Sequence, residues 1–314
     1  MWQRLTLSTA IISFTAACAT AQEPQATAPG WLVKDYQEFV EQFEGRWDSD
    51  RHVFFAEDAG MDVEQIAPRQ HIEITPAVLS EEADPDSLVA VFQAVRTVDG
   101  EDPATLVHTI TLDATRQQIR QSIALPGGVL PPSPTGCDVY WQRQGGQFQG
   151  EAVGDGCDAL FPRPVSDAPL NASMMLSDKD FWVTAARGSE MVEARLRRAR
   201  PFECWTAILR GASHGDSGEG MRDWDFRRGV TLHDQGGEAV LMTDEEEPRK
   251  IRLRLRNVDW PYGTNRPSLT LYIMEGESDR AMSYAWNEGD AERIGINLRW
   301  IQASCTYAPD SEAD

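Results

Sequence analysis

Gly136-Cys137-Asp138-Val139-Tyr140-Trp141, then Gly145-Gly146-Gln147-Phe148-Gln149-Gly150, then Gly156-Cys157, is the stretch whose reading decides the fold. It reads as a short strand bearing a cysteine and a tryptophan, a Gly-Gly turn, a second strand and a closing cysteine. Two strands paired in this way bring the cysteines back towards each other. Outward from it, period-two alternation dominates. Residues 71–75, 88–95, 107–112 and 119–125 alternate upstream; 191–196, 251–256, 269–273 and 294–300 alternate downstream. Residues 176–183 read as the opening of another strand, and Asp99-Gly100, Gly127-Gly128 and the Asp234-Gln235-Gly236-Gly237 run supply turns. Only residues 31–43 show helical spacing, with Leu32, Tyr36, Phe39, Val40 and Phe43 on one stripe and Gly45 placed to end it. Many short strands with one helix predict an all-β barrel or sandwich.

The chain has 314 residues, enough for one large or two ordinary domains with a real core. Residues 1–21 differ from the rest: Arg4, an uncharged run centred on Ile11, Ile12 and Phe14, and an Ala19-Thr20-Ala21 site. That is the pattern of a cleaved export signal and not of a membrane span. Thr15-Ala16-Ala17-Cys18 keeps a lipoprotein alternative open, with a lipid-anchored Cys18. Residues 22–30 read as a linker and 309–314 as an acidic, disordered tail. The expected location is periplasmic or secreted. The net charge is −21, and loss of the leader with Arg4 makes the mature chain one unit more acidic. Such a surface repels phosphate backbones and argues against a nucleic-acid partner.

Four cysteines remain after cleavage: Cys137, Cys157, Cys204 and Cys305. An even number in an oxidising compartment reads as disulfides, with three connectivities open. The pairing 137–157 with 204–305 is preferred, because the first closes a hairpin-sized loop and the second brackets the C-terminal third. Single cysteines without a C-x-x-C, and His52, His71, His108, His214 and His233 scattered along the chain, give no metal-ligand pattern.

The Cys-Trp-Phe-Gly-Cys hairpin resembles that of the CpcT/CpeT family of phycobilin chromophore lyases. Phe43-Glu44-Gly45-Arg46-Trp47-Asp48 with Arg51-His52 is similar to the family's early motif. Val91-Phe92-Gln93 is similar to its strand ending in Gln, and Met175-Leu176-Ser177 with Arg187-Gly188 to its late strand pair. The resemblance covers about residues 36–205. It implies a calyx-like antiparallel β-barrel over 31–204, leaving 205–308 as an additional β-rich region. It also implies a cavity for a linear tetrapyrrole (bilin) or similar amphipathic ligand, and no resident cofactor beyond such a ligand. The ligand contacts it implies are Trp47, Arg51, Gln93, His108 and Trp141. The family's Pro-Tyr-Arg-x-Arg stretch reads Pro103-Ala104-Thr105-Leu106-Val107-His108 here, so the arginine clamp for bilin propionates is missing at that place.

Two function classes follow. One is an exported lyase-type protein that holds a bilin and orients it for an acceptor thiolate, its partners being the ligand, an acceptor protein and a second copy in a homodimer. The other is a non-enzymatic barrel module for another ligand or an envelope partner. Gly215-Asp216-Ser217-Gly218 echoes a serine-protease nucleophile loop, but no matching upstream His segment accompanies it. The arginine face of 252, 254 and 256 reads either as an anion site or as a solvated strand face with carboxylate partners.

Overall fold

A computed structural model describes residues 28–61, 66–77, 88–127, 133–160, 169–211, 223–258, 264 and 266–309. The expected export signal, most of the expected linker, residues 215–218 and residues 310–314 lie outside these.

Ten strands close into an antiparallel barrel: β1 (Gly45–Asp48), β2 (Gln70–Pro76), β3 (Val89–Val98), β4 (Ala104–Asp113), β5 (Gln118–Leu125), β6 (Ser133–Gln144), β7 (Gln147–Val153), β8 (Asn171–Leu176), β9 (Asp180–Arg187) and β10 (Glu190–Arg198). Sequence neighbours pair around the ring, and β1 closes it against β10, with Trp47 opposite Arg198. The expected barrel with an N-terminal helix is therefore observed. Helix α1 (Gly30–Phe43) turns Leu32, Tyr36, Phe39 and Phe43 inward, into the same core as Ile74, Ile110, Val139 and Leu196 from the wall. Burying each such side chain contributes about 2 kcal/mol, so this stripe holds the helix to the barrel. Arg143, at the end of β6, pins it from outside by reaching Glu38 at 2.5 and 2.7 Å and Asp35 at 3.3 Å.

The deciding hairpin is β6–β7, with Trp141 opposite Gly150. A Cβ on Gly150 would stand 2.7 Å from the Trp141 ring, so glycine there lets the indole lie against the neighbouring strand. Cys157 sits past the second strand, in a 3-10 turn over Asp155–Ala159, and is bonded to Cys137.

The remaining strands form two four-stranded antiparallel sheets. One runs β12 (Trp224–His233), β11 (Pro201–Leu209), β18 (Ile301–Tyr307), β17 (Arg293–Asn297). The other runs β13 (Gln235–Met242), β14 (Lys250–Val258), β15 (Ser268–Glu275), β16 (Ser283–Glu288). Both contribute to one aliphatic core with Ile208, Leu232, Leu253, Leu255, Leu271, Ile273 and Ile301, which makes a sandwich. Cys204 and Cys305 face each other across β11 and β18 and are bonded.

One strand expectation is met with an offset, and one needs correction. The strand expected to open over 176–183 is β9, which begins at Asp180; Leu176 ends β8, and residues 177–179 turn between them, where the Ser177 hydroxyl accepts from the backbone N–H of Lys179 and Asp180. The strand expected over 294–300 stops at Asn297, where the chain turns to pair with β18. A second helix, α2 (Asp50–Asp58), was not expected; it packs outside the barrel, with contacts to β10 and β13.

The two parts are joined through charge. Arg256 of β14 bonds Asp50 at 2.8 and 3.0 Å and lies over the Phe54 ring. Arg200 holds Asp234 at 2.6 Å. Gly236, with φ of 76°, brings β13 so close to Asp50 that a side chain there would collide with the carboxylate. The arginine face is thus a partnered one: Arg252 and Arg254 bond Glu238, and Arg252 also bonds Asp279.

Candidate functional site

The barrel interior divides along its axis. At the end carrying the 177–180 turn it is filled. Phe39 packs against Trp141 at 5.0 Å and Phe148 at 5.3 Å, and Phe43 against Phe92 at 5.5 Å. Trp47, Phe39, Trp141 and Phe148 keep 0% of their surface exposed. Trp47 Nε1 donates to the Phe43 carbonyl at 3.3 Å, and the Arg198 guanidinium covers its face at 4.3 Å.

One polar chain runs through this packing. Trp141 Nε1–H donates to Gln121 Oε1 at 2.7 Å, and that fixes the Gln121 amide. Its NH2 then faces His108 Nδ1 at 2.7 Å, so the histidine carries its proton on Nε2. Burial pushes the His108 pKa down to about 4, so the ring is neutral at physiological pH. The burial of Tyr36 likewise raises its phenol to about 12.

The other end is built differently. The register lines up Ala152, Ala172, Ala185 and Val192 on adjacent strands, all on the inward parity. Ten strands enclose more space than the eight that side chains just fill, and alanines fill less of it than the rings at the other end do. Consistent with room in front of them, Ile72, Leu106, Ala152, Val183 and Val192 face inward yet remain half-exposed. Two arginines share this end on the inward parity: Arg96 of β3 and Arg187 of β9. Both are tied to the segment held by the Cys137–Cys157 bond. Arg96 donates to the Leu160 carbonyl at 2.9 Å, and Arg187 pairs with Asp158 at 2.9 Å. Arg96 Nε is buried without an acceptor.

Of the residues that sequence singles out, Trp47, His108 and Trp141 come together inside the barrel, the last two through Gln121. Arg51 and Gln93 do not join them. Gln93 alternates with the inward Phe92 and Ala94 and points outward, exposed. Arg51 lies on α2, outside the barrel, within 5.8 Å of the Phe55 ring centroid. It helps line a surface cleft of about 450 Å³ with His52, Trp182 and Arg195. Arg96 carries no signal in the chain beyond its strand parity, and Arg187 stands out only through the Arg187-Gly188 pair, which implies no ligand role.

One further cluster is invisible in sequence. Asp48, His71 and His233 place ligand-type atoms within 4.8 Å of one another. Asp48 Oδ2 is 3.1 Å from His71 Nδ1 and 3.7 Å from His233 Nε2, and the two imidazoles stack at 4.8 Å. The donor set would suit a transition metal, but Arg69 grips both Asp48 oxygens at 2.9 Å. A cation would face that guanidinium, so the cluster does not fit a metal as it stands. Burial pushes the Asp48 carboxyl up, yet the bonds from His71 and Arg69 outweigh it and hold the pKa below the usual range. Burial pushes His233 down to about 4. The cluster reads as a neutralised joint between barrel and sandwich, since Arg69 also donates to the Gln235 and Gly236 carbonyls.

No family model and no curated protein matches this chain. Among solved structures it is similar to the T-type phycobiliprotein lyase CpeT from Prochlorococcus phage P-HM1, at 14% identity and a TM-score of 0.31, over 52% of this chain and 96% of that one. A likeness of that size is a weak one in fold alone, and the closed ten-stranded barrel rests on its own strand register.

Proposed function

We propose that this chain is an exported binding protein. Its barrel takes an amphipathic, carboxylate-bearing ligand, a linear tetrapyrrole or a molecule of similar shape, into the alanine-lined end. The observation that supports this reading is the asymmetry of the interior: one end packed with aromatics, the other walled by small residues beside two inward arginines. Guanidinium groups bind carboxylates bidentately, and an apolar pocket with a few polar groups is the usual design for such ligands. Trp141 and His108 would form the floor. Arg96 and Arg187 would supply the anchor that the 103–108 stretch lacks. The export signal and the two disulfides support a periplasmic or secreted location.

Binding is better supported than catalysis. The four cysteines among the described residues are all in disulfides, so none is a free thiol. His108 is neutral and already bonded. A lyase role would be positional: the protein holds the bilin in one orientation while a thiolate of an acceptor protein adds to it. The second reading, a non-enzymatic module, is favoured by the bonds that Arg96 and Arg187 already make to the 158–160 segment. Titrating the purified protein with biliverdin, and following the visible absorption band, tests the proposal. A red-shifted, saturable spectrum is expected, weakened about tenfold or more in R187Q. An unchanged spectrum at high micromolar ligand rejects bilin binding.

A further inference from the structure

The sandwich carries its own candidate binding surface, independent of the barrel's ligand. In the second sheet, Leu269, Leu271 and Ile273 of β15 point into the core, so Thr270 and Tyr272 lie on the opposite face. The register sets Tyr272 opposite Tyr284 and Thr270 opposite Trp286. Three aromatic side chains therefore share the outer face of two adjacent strands. Trp286 is 71% and Tyr284 63% exposed, and the Tyr272 and Tyr284 rings are 6.2 Å apart. They line a concavity of about 800 Å³ together with Thr270, Arg266 and Glu288.

We propose that this face is a carbohydrate-binding platform, on which the pyranose rings of a glycan chain stack against Trp286 and Tyr284. A large aromatic left in water costs free energy that an occupant recovers, and Tyr and Trp join a flat apolar face to a polar tip. That combination matches a sugar ring, which has an apolar C–H face and a hydroxyl edge. The rest of the lining fits the same ligand. Arg266 and Glu288 are one charge of each sign, neither in an ion pair among the described residues, and both suit hydroxyl groups. Other occupants fit less well. Nucleic-acid bases also stack on aromatics, but their backbone needs a cationic groove, and here Arg254 is already held by Glu238 in a chain of net charge −21. A lipid or an apolar protein surface would call for exposed aliphatic side chains, whereas Val258 in this lining is buried.

The test uses the full chain. Cello-, chito- and xylo-oligosaccharides are titrated while tryptophan emission is followed, and cellulose, chitin and peptidoglycan sacculi are used in sedimentation assays. W286A and Y284A are compared with F226A, which removes an equally exposed ring from the other sheet. Saturable binding of at least one glycan at millimolar concentration or below is expected, weakened about fivefold or more in W286A and unchanged in F226A. The three variants should keep the wild-type circular dichroism, because each alters an exposed side chain. No binding to any glycan, or equal binding by W286A, overturns the proposal. So does a wild-type dimer in sedimentation velocity that W286A dissolves, or Trp286-dependent binding to lipid vesicles.

Discussion

The barrel and the sandwich are both antiparallel and each has one disulfide, yet they place their aromatic residues in opposite ways. The barrel core gathers Tyr36, Phe39, Phe43, Trp47, Phe92, Trp141, Phe148 and Phe181. The sandwich core is aliphatic apart from Phe202 and Trp300, while Trp205, Phe226, Tyr284 and Trp286 stand on its surface. The difference follows from geometry. Two sheets about 10 Å apart are filled by interdigitating Leu and Ile, whereas a ten-stranded ring is too wide for that. The barrel is filled by a helix and large rings at one end, and at the other the described inward positions of β7 to β10 are mainly alanine and valine.

The sharpest way to break this comparison is to delete one ring from each part. Trp141→Ala should destabilise the chain by about 5 kcal/mol, since it opens a cavity and strands the Gln121 amide. Trp286→Ala should shift stability by less than about 0.5 kcal/mol. Chemical denaturation of both variants checks this, and equal effects would mean that the two surroundings are not as different as described. Next in size come the disulfides. Removing Cys204–Cys305, with a sequence separation of 101, should cost about 4–5 kcal/mol. Removing Cys137–Cys157, with a separation of 20, should cost about 3 kcal/mol by the same loop-entropy argument. Paired Cys→Ala variants measured in parallel would reveal the opposite order if the mouth segment, and not loop entropy, dominates.

Stability should also depend on pH. His108 in the barrel and His233 at the joint both have folded pKa values of about 4, below the ordinary 6.5. Between those values the unfolded chain binds protons that the folded chain refuses. Their stability is therefore complete above about pH 6.5 and falls away as pH drops towards about 4. Asp48, held below the usual carboxylate range, adds a further loss at still lower pH. Thermal melts from pH 8 to pH 4 should show this slope, and H108Q should flatten part of it. A melt that is flat across this range in the wild type would remove the histidines from the account.

Sequence reached the barrel because period two is a local property and the Gly-Gly turn fixes its own hairpin. It did not reach α2, whose apolar residues Val53, Phe54, Phe55 and Ala56 form a contiguous run and no stripe. The inward positions of Arg96 and Arg187 go against the rule that charged strand residues face water, so residue type assigns them to the wrong side even though alternation places them inward. Gln93 was decidable in principle, because its neighbours Phe92 and Ala94 already claim the interior parity. The Asp48–His71–His233 joint was not, since its members lie on β1, β2 and β12 and meet only when two separate sheets dock.

The bond between Cys204 and Cys305 joins the first strand of the sandwich to its last. Everything from β12 to β17 hangs between those two points as a covalent ring. A protease that nicks any exposed turn in that span leaves a single molecule, whose pieces part only under a reductant. The sandwich can thus be cut without being lost.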